Sequence, residues 1–143
     1  MPATIGPIAR YGALSGRERI ALSYFLVFIG AGIGGALRHG VNHLSLAWLG
    51  PGFPWGTLFV NLAGGLLIGA VAGLLAEKIT GSYELRLFLT VGLLGGFTTF
   101  SAFSLEVALM WQRGEYGAAL AYSLASVIVS VGAVFAGLAL ASR

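Results

Sequence analysis

Four long stretches of the chain carry no charged residue: Ile20 to Leu37, Phe53 to Ala76, Leu87 to Leu105 and Tyr116 to Ser142. Each meets or approaches the roughly 20 residues that a helix needs to cross about 30 Å of hydrocarbon at 1.5 Å per residue. The runs are continuously apolar rather than alternating, which predicts spanning helices and not the strands of a barrel. Together they take up nearly the whole chain, so the expected fold is all-α with four transmembrane helices. The connections "SLAWLGPGFP", "EKITGSYE" and "QRGE" are too short to hold an extramembrane domain. No internal repeat is evident. A bundle this small encloses little volume, so a pathway or large polar site calls for a second subunit.

Composition agrees with the pattern. Of 143 residues 57% are hydrophobic and 9% charged, against roughly 25% charged in a soluble domain. Residues 1–19 precede an apolar run longer than a signal-peptide core and lacking an A-x-A-like site, which predicts a retained first helix. The chain divides into an N-terminal extension, 1–19, and a four-helix membrane domain, 20–143. It has no cysteine, which excludes disulfides and thiolate metal sites. The net charge of +3 comes from scattered residues, so a nucleic-acid partner has no support. Arg10, Arg17, Arg19, Lys78, Arg86 and Arg143 fall on the side of the termini and Arg38 and Arg113 on the other, which predicts cytoplasmic termini.

The polar residues inside the spans carry the candidate chemistry. Thr57 and Asn61 lie four apart on one face of the second span, with Gly64 and Gly65 just beyond. Asn61 serves there either as interhelical glue or as a ligand. In the fourth span Tyr122, Ser126 and Ser130 form a hydroxyl stripe at i, i+4 and i+8, able to line a passage unless each serine bonds back to its own i−4 carbonyl. The third span contains "GGFTTFSAFSLE", from Gly95 to Glu106. With Gly92, Gly95 and Gly96 followed by Thr98 and Thr99 it is a weak helix, and a break is expected there. Freed carbonyls at such a break can coordinate a cation. Beyond it Phe100 and Phe103 share a face, as do Thr98 and Ser101. Ring edges are electropositive, so two rings, neighbouring hydroxyls and an amide N–H suit a small anion. No Asp or Glu lies near the middle of a span, which argues against proton coupling and against a cation pore.

The segments "GGALRHGVN", "WGTLFVNLAGGLLIG" and "GLLGGFTTFSAFSLEV" resemble the Fluc (CrcB-type) fluoride ion channels of bacteria, with the likeness running through all four spans from about Ile20. It implies an antiparallel, dual-topology homodimer in the inner membrane with two pores along its interface. It further implies a central structural sodium ion (Na+) held by the carbonyls of Gly95 and Thr98 from each subunit. Phe100 and Phe103 would offer ring edges to fluoride and Asn61 its amide. Tyr122, Ser126 and Ser130 would form a polar track, and the hydroxyls of Thr99 and Ser101 would belong to the pore. Arg38 would stand near a vestibule and Glu106 near the pore's end. From the residues alone, Arg38 also reads as a snorkelling helix-end anchor and Glu106 as half of a salt link. The implied activity is passive export of fluoride that enters an acidified cell as HF. Ala102 stands where that family often has threonine.

Two features test the resemblance. Six cations against two favour one orientation, which would call for an oppositely inserted homologue as partner, although three of the six lie in residues 1–19. The rival reading, a small multidrug-type exporter, needs an acidic residue in the first span, and none is present. An intramembrane enzyme would need a nucleophile and base or a metal set. His39 and His43 lie four apart but lack an evident third ligand, and they read as an interfacial helix end.

Overall fold

A computed structural model describes residues 15–77 and 83–142. Of the charges used to assign orientation, Arg10, Lys78 and Arg143 lie outside the described residues, as do residues 1–14 of the extension. Among the described residues, four helical segments are long and apolar enough to cross a membrane.

Helix α1 (Gly16–Leu49) starts on a capping box, with the Glu18 N–H donating to Ser15 Oγ at 3.4 Å and the Ser15 N–H donating to the Glu18 carboxylate at 2.7 Å. It ends at Gly50, whose φ of +77° few other residues adopt. Its 34 residues correspond to about 51 Å, well beyond the hydrocarbon core. The helix therefore does not end near Arg38. Arg38, His39 and His43 all lie inside it, and the two histidines are exposed. Among the described residues no third His, Cys, Asp or Glu joins them.

After the turn 50–54, α2 (Trp55–Glu77) runs back across. The third crossing is composite: α3 (Tyr83–Arg86), a π-helical segment (Leu87–Leu94), α4 (Gly95–Phe97), an extended step at Thr98 and Thr99, then α5 (Phe100–Gln112). A tight turn leads into α6 (Tyr116–Ala141).

Backbones meet directly along two seams. Helices α2 and α6 touch over Gly65, Gly69 and Gly137, where a Cβ on Gly65 would lie 2.8 Å from the Ser130 carbonyl oxygen. Helix α1 crosses the π-helical segment and α4 over Gly30, Gly34, Gly92 and Gly96, where a Cβ on Gly30 would lie 2.9 Å from the Gly92 Cα. Lipid supplies no hydrophobic drive between helices, so close approach at small residues is what holds them. Gly92 and Gly96 thus stay helical and serve packing. The break falls two residues after Gly96, at the threonines.

Candidate functional site

The break is built from side chains that replace lost helical hydrogen bonds. Thr98, at ψ 159°, and Thr99, at φ −154° and ψ 123°, are extended. Thr98 closes α4 by donating both its N–H and its hydroxyl to the Leu94 carbonyl, at 3.0 and 2.9 Å. Thr99 opens α5 as its N-cap, Oγ1 accepting the Ala102 N–H at 3.2 Å. Across the seam, Asn61 accepts the Thr99 N–H at 2.8 Å and donates its amide to the Thr99 carbonyl at 3.0 Å. Asn61 therefore clamps the broken backbone at two points, and this leaves one of its amide hydrogens for another acceptor. Arg38 reaches the same place from α1, its Nε donating to the Gly96 carbonyl at 3.2 Å.

One open groove of about 410 Å³ gathers Asn61, Thr98, Thr99, Phe100, Phe103, Ser126 and Ser130 among apolar walls. The Phe100 and Phe103 rings stand 5.4 Å apart at 50°, Phe100 largely exposed and Phe103 buried. The hydroxyl oxygens of Ser126 and Ser130 are buried and, among the described residues, have no hydrogen-bond partner. Ser123, on the same helix, does donate to its i−4 carbonyl, at 2.7 Å. The two stripe serines are thus not silenced by the helix that carries them.

Three other candidates lie apart from the groove lining. Ser101 is exposed in the first turn of α5 and its hydroxyl is 3.3 Å from that of Thr99. Because the break separates Thr98 from α5, Thr98 and Ser101 do not share a helical face. Tyr122 is fully buried, packs on Phe103 with ring centroids 5.3 Å apart and donates its hydroxyl to Glu106 at 2.7 Å. The other Glu106 oxygen accepts the Thr57 hydroxyl at 2.7 Å. Glu106 is therefore held by two hydroxyls and not by a salt link. The reason is packing: α2 and α6 put hydroxyls, not cations, opposite this turn of α5. Thr57, which the sequence places on one face with Asn61, turns instead to Glu106, a partner 49 positions away that no local spacing indicates.

Glu106 and Thr57 line a second cavity of about 300 Å³, together with Asn42, Gly56, Met110 and Arg113. At its rim Arg113 pairs in bidentate fashion with Glu115, both contacts at 2.9 Å.

The family described as "CrcB-like protein, Camphor Resistance (CrcB)" matches residues 25–138. Among similar curated proteins, one of Rhodopseudomonas palustris (strain BisB5) is 49% identical over 119 residues, covering 83% of this chain and 96% of that protein. One of Hyphomonas neptunium is 54% identical over 121 residues, covering 84% and 95%. One of Granulibacter bethesdensis is 53% identical over 117 residues, covering 82% and 92%. All three carry the name "Fluoride-specific ion channel FluC".

Proposed function

This chain belongs to the CrcB-like family, a family of membrane channels and not of enzymes, and we propose that two antiparallel copies conduct fluoride passively through pores at their interface. The observation that carries the reading is the groove. A single chain in lipid would face the bilayer with Asn61, Thr98, Thr99 and two unpartnered serine hydroxyls. Of these, the two serine hydroxyls and the spare Asn61 N–H have no partner among the described residues, and lipid supplies none. A second copy laid over the groove turns the same surface into a narrow, lined passage.

The chemistry of the lining favours a small anion. Ser126 and Ser130 supply O–H donors, Asn61 keeps one N–H, and Phe100 and Phe103 can present positive ring edges. The groove contains no carboxylate. Helix α5, 13 residues long, starts at Phe100 on the groove wall, so its positive end faces the same space. Fluoride crosses only where such donors replace its water, and larger chloride fits a narrow passage poorly. The cellular role is release of fluoride that entered as HF.

A sodium ion would fit the break. The carbonyls of Gly95 and Thr98 lie at the start of α4 and at the extended step that ends it. Two copies would bring four such oxygens together, a donor set suited to a hard cation. Bound there, the ion would supply positive charge that holds the two breaks together. Arg38, bonded to the adjacent Gly96 carbonyl, would fix the α4 end that carries the site.

Purified protein in liposomes, followed with a fluoride electrode, tests the function. Rapid fluoride release without chloride release, abolished by Asn61→Asp and Phe100→Ile, is the expected result. A wild-type protein that releases both anions equally, or neither, would overturn it. Co-reconstitution with a homologue then distinguishes a heterodimer from an inactive protein.

A further inference from the structure

Helix α5 places Glu106, Met110 and Arg113 along one face at i, i+4 and i+7, all bordering the cavity of about 300 Å³. Seven residues put Arg113 about 10 Å along the axis from Glu106. Arg113 lines the same cavity as Glu106 and is the more exposed of the two. What Arg113 presents to an anion depends on its neighbour. Helix α5 closes in a Schellman turn, with the Gly114 N–H donating to the Trp111 carbonyl and the Glu115 N–H to the Met110 carbonyl, both at 3.0 Å. Gly114, at φ +78°, lets the chain fold back. Glu115 is thereby brought over the guanidinium and takes both Arg113 Nε and a terminal nitrogen at 2.9 Å.

We propose that the Arg113–Glu115 pair is a charge regulator at the mouth of this cavity, Arg113 concentrating fluoride and Glu115 limiting how strongly it does so. The inference rests on the channel reading above. Its physical basis is that a single uncompensated charge at a narrow mouth raises or lowers the local concentration of permeant ions. The pair is half-exposed, with side-chain accessibilities of 51% and 40%, so it is within reach of bulk ions. The turn residues fix it locally, so its charges can be changed without disturbing the helix seams.

The test compares initial fluoride release from liposomes for the full-length wild type, Glu115→Gln, Arg113→Gln and the double substitution. Release is measured at low fluoride in dilute buffer and again in 1 M impermeant salt. One charge at about 10 Å in water shifts local ion concentration about twofold. Glu115→Gln should accordingly run about twofold faster than wild type and Arg113→Gln about twofold slower. The double substitution, neutral like the native pair, should fall between them at the wild-type rate. At 1 M salt, where screening acts within about 3 Å, the differences should vanish. Equal rates in dilute buffer, or differences that persist at 1 M, would overturn the proposal. A wild type that releases no fluoride overturns the channel reading first, and this inference with it.

Discussion

The groove and the cavity lie in the same four helices and treat polar groups in opposite ways. In the cavity, both Glu106 oxygens are occupied by the Thr57 and Tyr122 hydroxyls. In the groove, the hydroxyl oxygens of Ser126 and Ser130 are buried, yet among the described residues they have no hydrogen-bond partner. Burying an unpartnered hydroxyl is unfavourable by about 1–3 kcal/mol. A satisfied set therefore reads as construction, and an unsatisfied row in a groove reads as a lining that awaits water, an ion or a second subunit. Asn61 stands between the two cases, with its carbonyl and one amide hydrogen spent on Thr99 and the remaining hydrogen free.

Substitutions can break this contrast, and the largest effect is expected at Asn61. Asn61→Ala should strand the N–H and carbonyl of Thr99 at the break and lower stability by about 2–5 kcal/mol. Fluoride release should be lost as well. Denaturant titration in mixed micelles checks the first outcome and liposome flux the second. A variant that is as stable as wild type would show that the clamp is not structural.

Glu106→Ala comes next. It leaves the Thr57 and Tyr122 hydroxyls without their acceptor and should lower stability by about 1–3 kcal/mol, with Glu106→Gln recovering part of the loss. Titration of both variants in the same micelles reads the difference.

Ser126→Ala and Ser130→Ala sharpen the contrast from the other side. Neither hydroxyl has a partner among the described residues to lose, so stability should hold or rise, by up to about 1–3 kcal/mol. Fluoride release should nevertheless fall several-fold. Equal losses of stability and flux would mean that the hydroxyls are structural after all.

The smallest effect is expected at Glu115, in the turn outside the spans. The hydrogen bond from Arg113 holds its carboxyl below the ordinary carboxylate value. A depressed folded pKa contributes stability that is present above the ordinary value and lost as pH falls through the folded one. The pair is on the surface, where screening makes such contributions small. The wild type should show a slight acid-side loss of stability that Glu115→Gln lacks, measurable by melting in detergent between neutral and acidic pH.

Much of the molecule is legible in the order of its residues. Uncharged runs of helix-spanning length determine four crossings, because hydrocarbon demands internally bonded backbone over a known thickness. The paired threonines of "GGFTTFSAFSLE" mark where the third crossing is interrupted, because threonine holds a helix weakly and caps one readily. The hydroxyl stripe is set by helical periodicity alone.

Which of those groups are occupied is decided only by the tertiary fold. Ser123 and Ser126 sit three residues apart on one helix, and nothing local distinguishes the one that bonds its own backbone from the one left open. The partners that settle Asn61, Thr57 and Tyr122 lie 38, 49 and 16 positions away in the chain. The glycines' share in breaking the third crossing likewise depends on α1, whose backbone approaches Gly92 and Gly96 and makes them packing residues. Periodicity fixes the direction of a side chain from its own helix axis. Whether a donor, an acceptor or open space meets it is set by how the other helices cross, and these cross where small residues let their backbones touch.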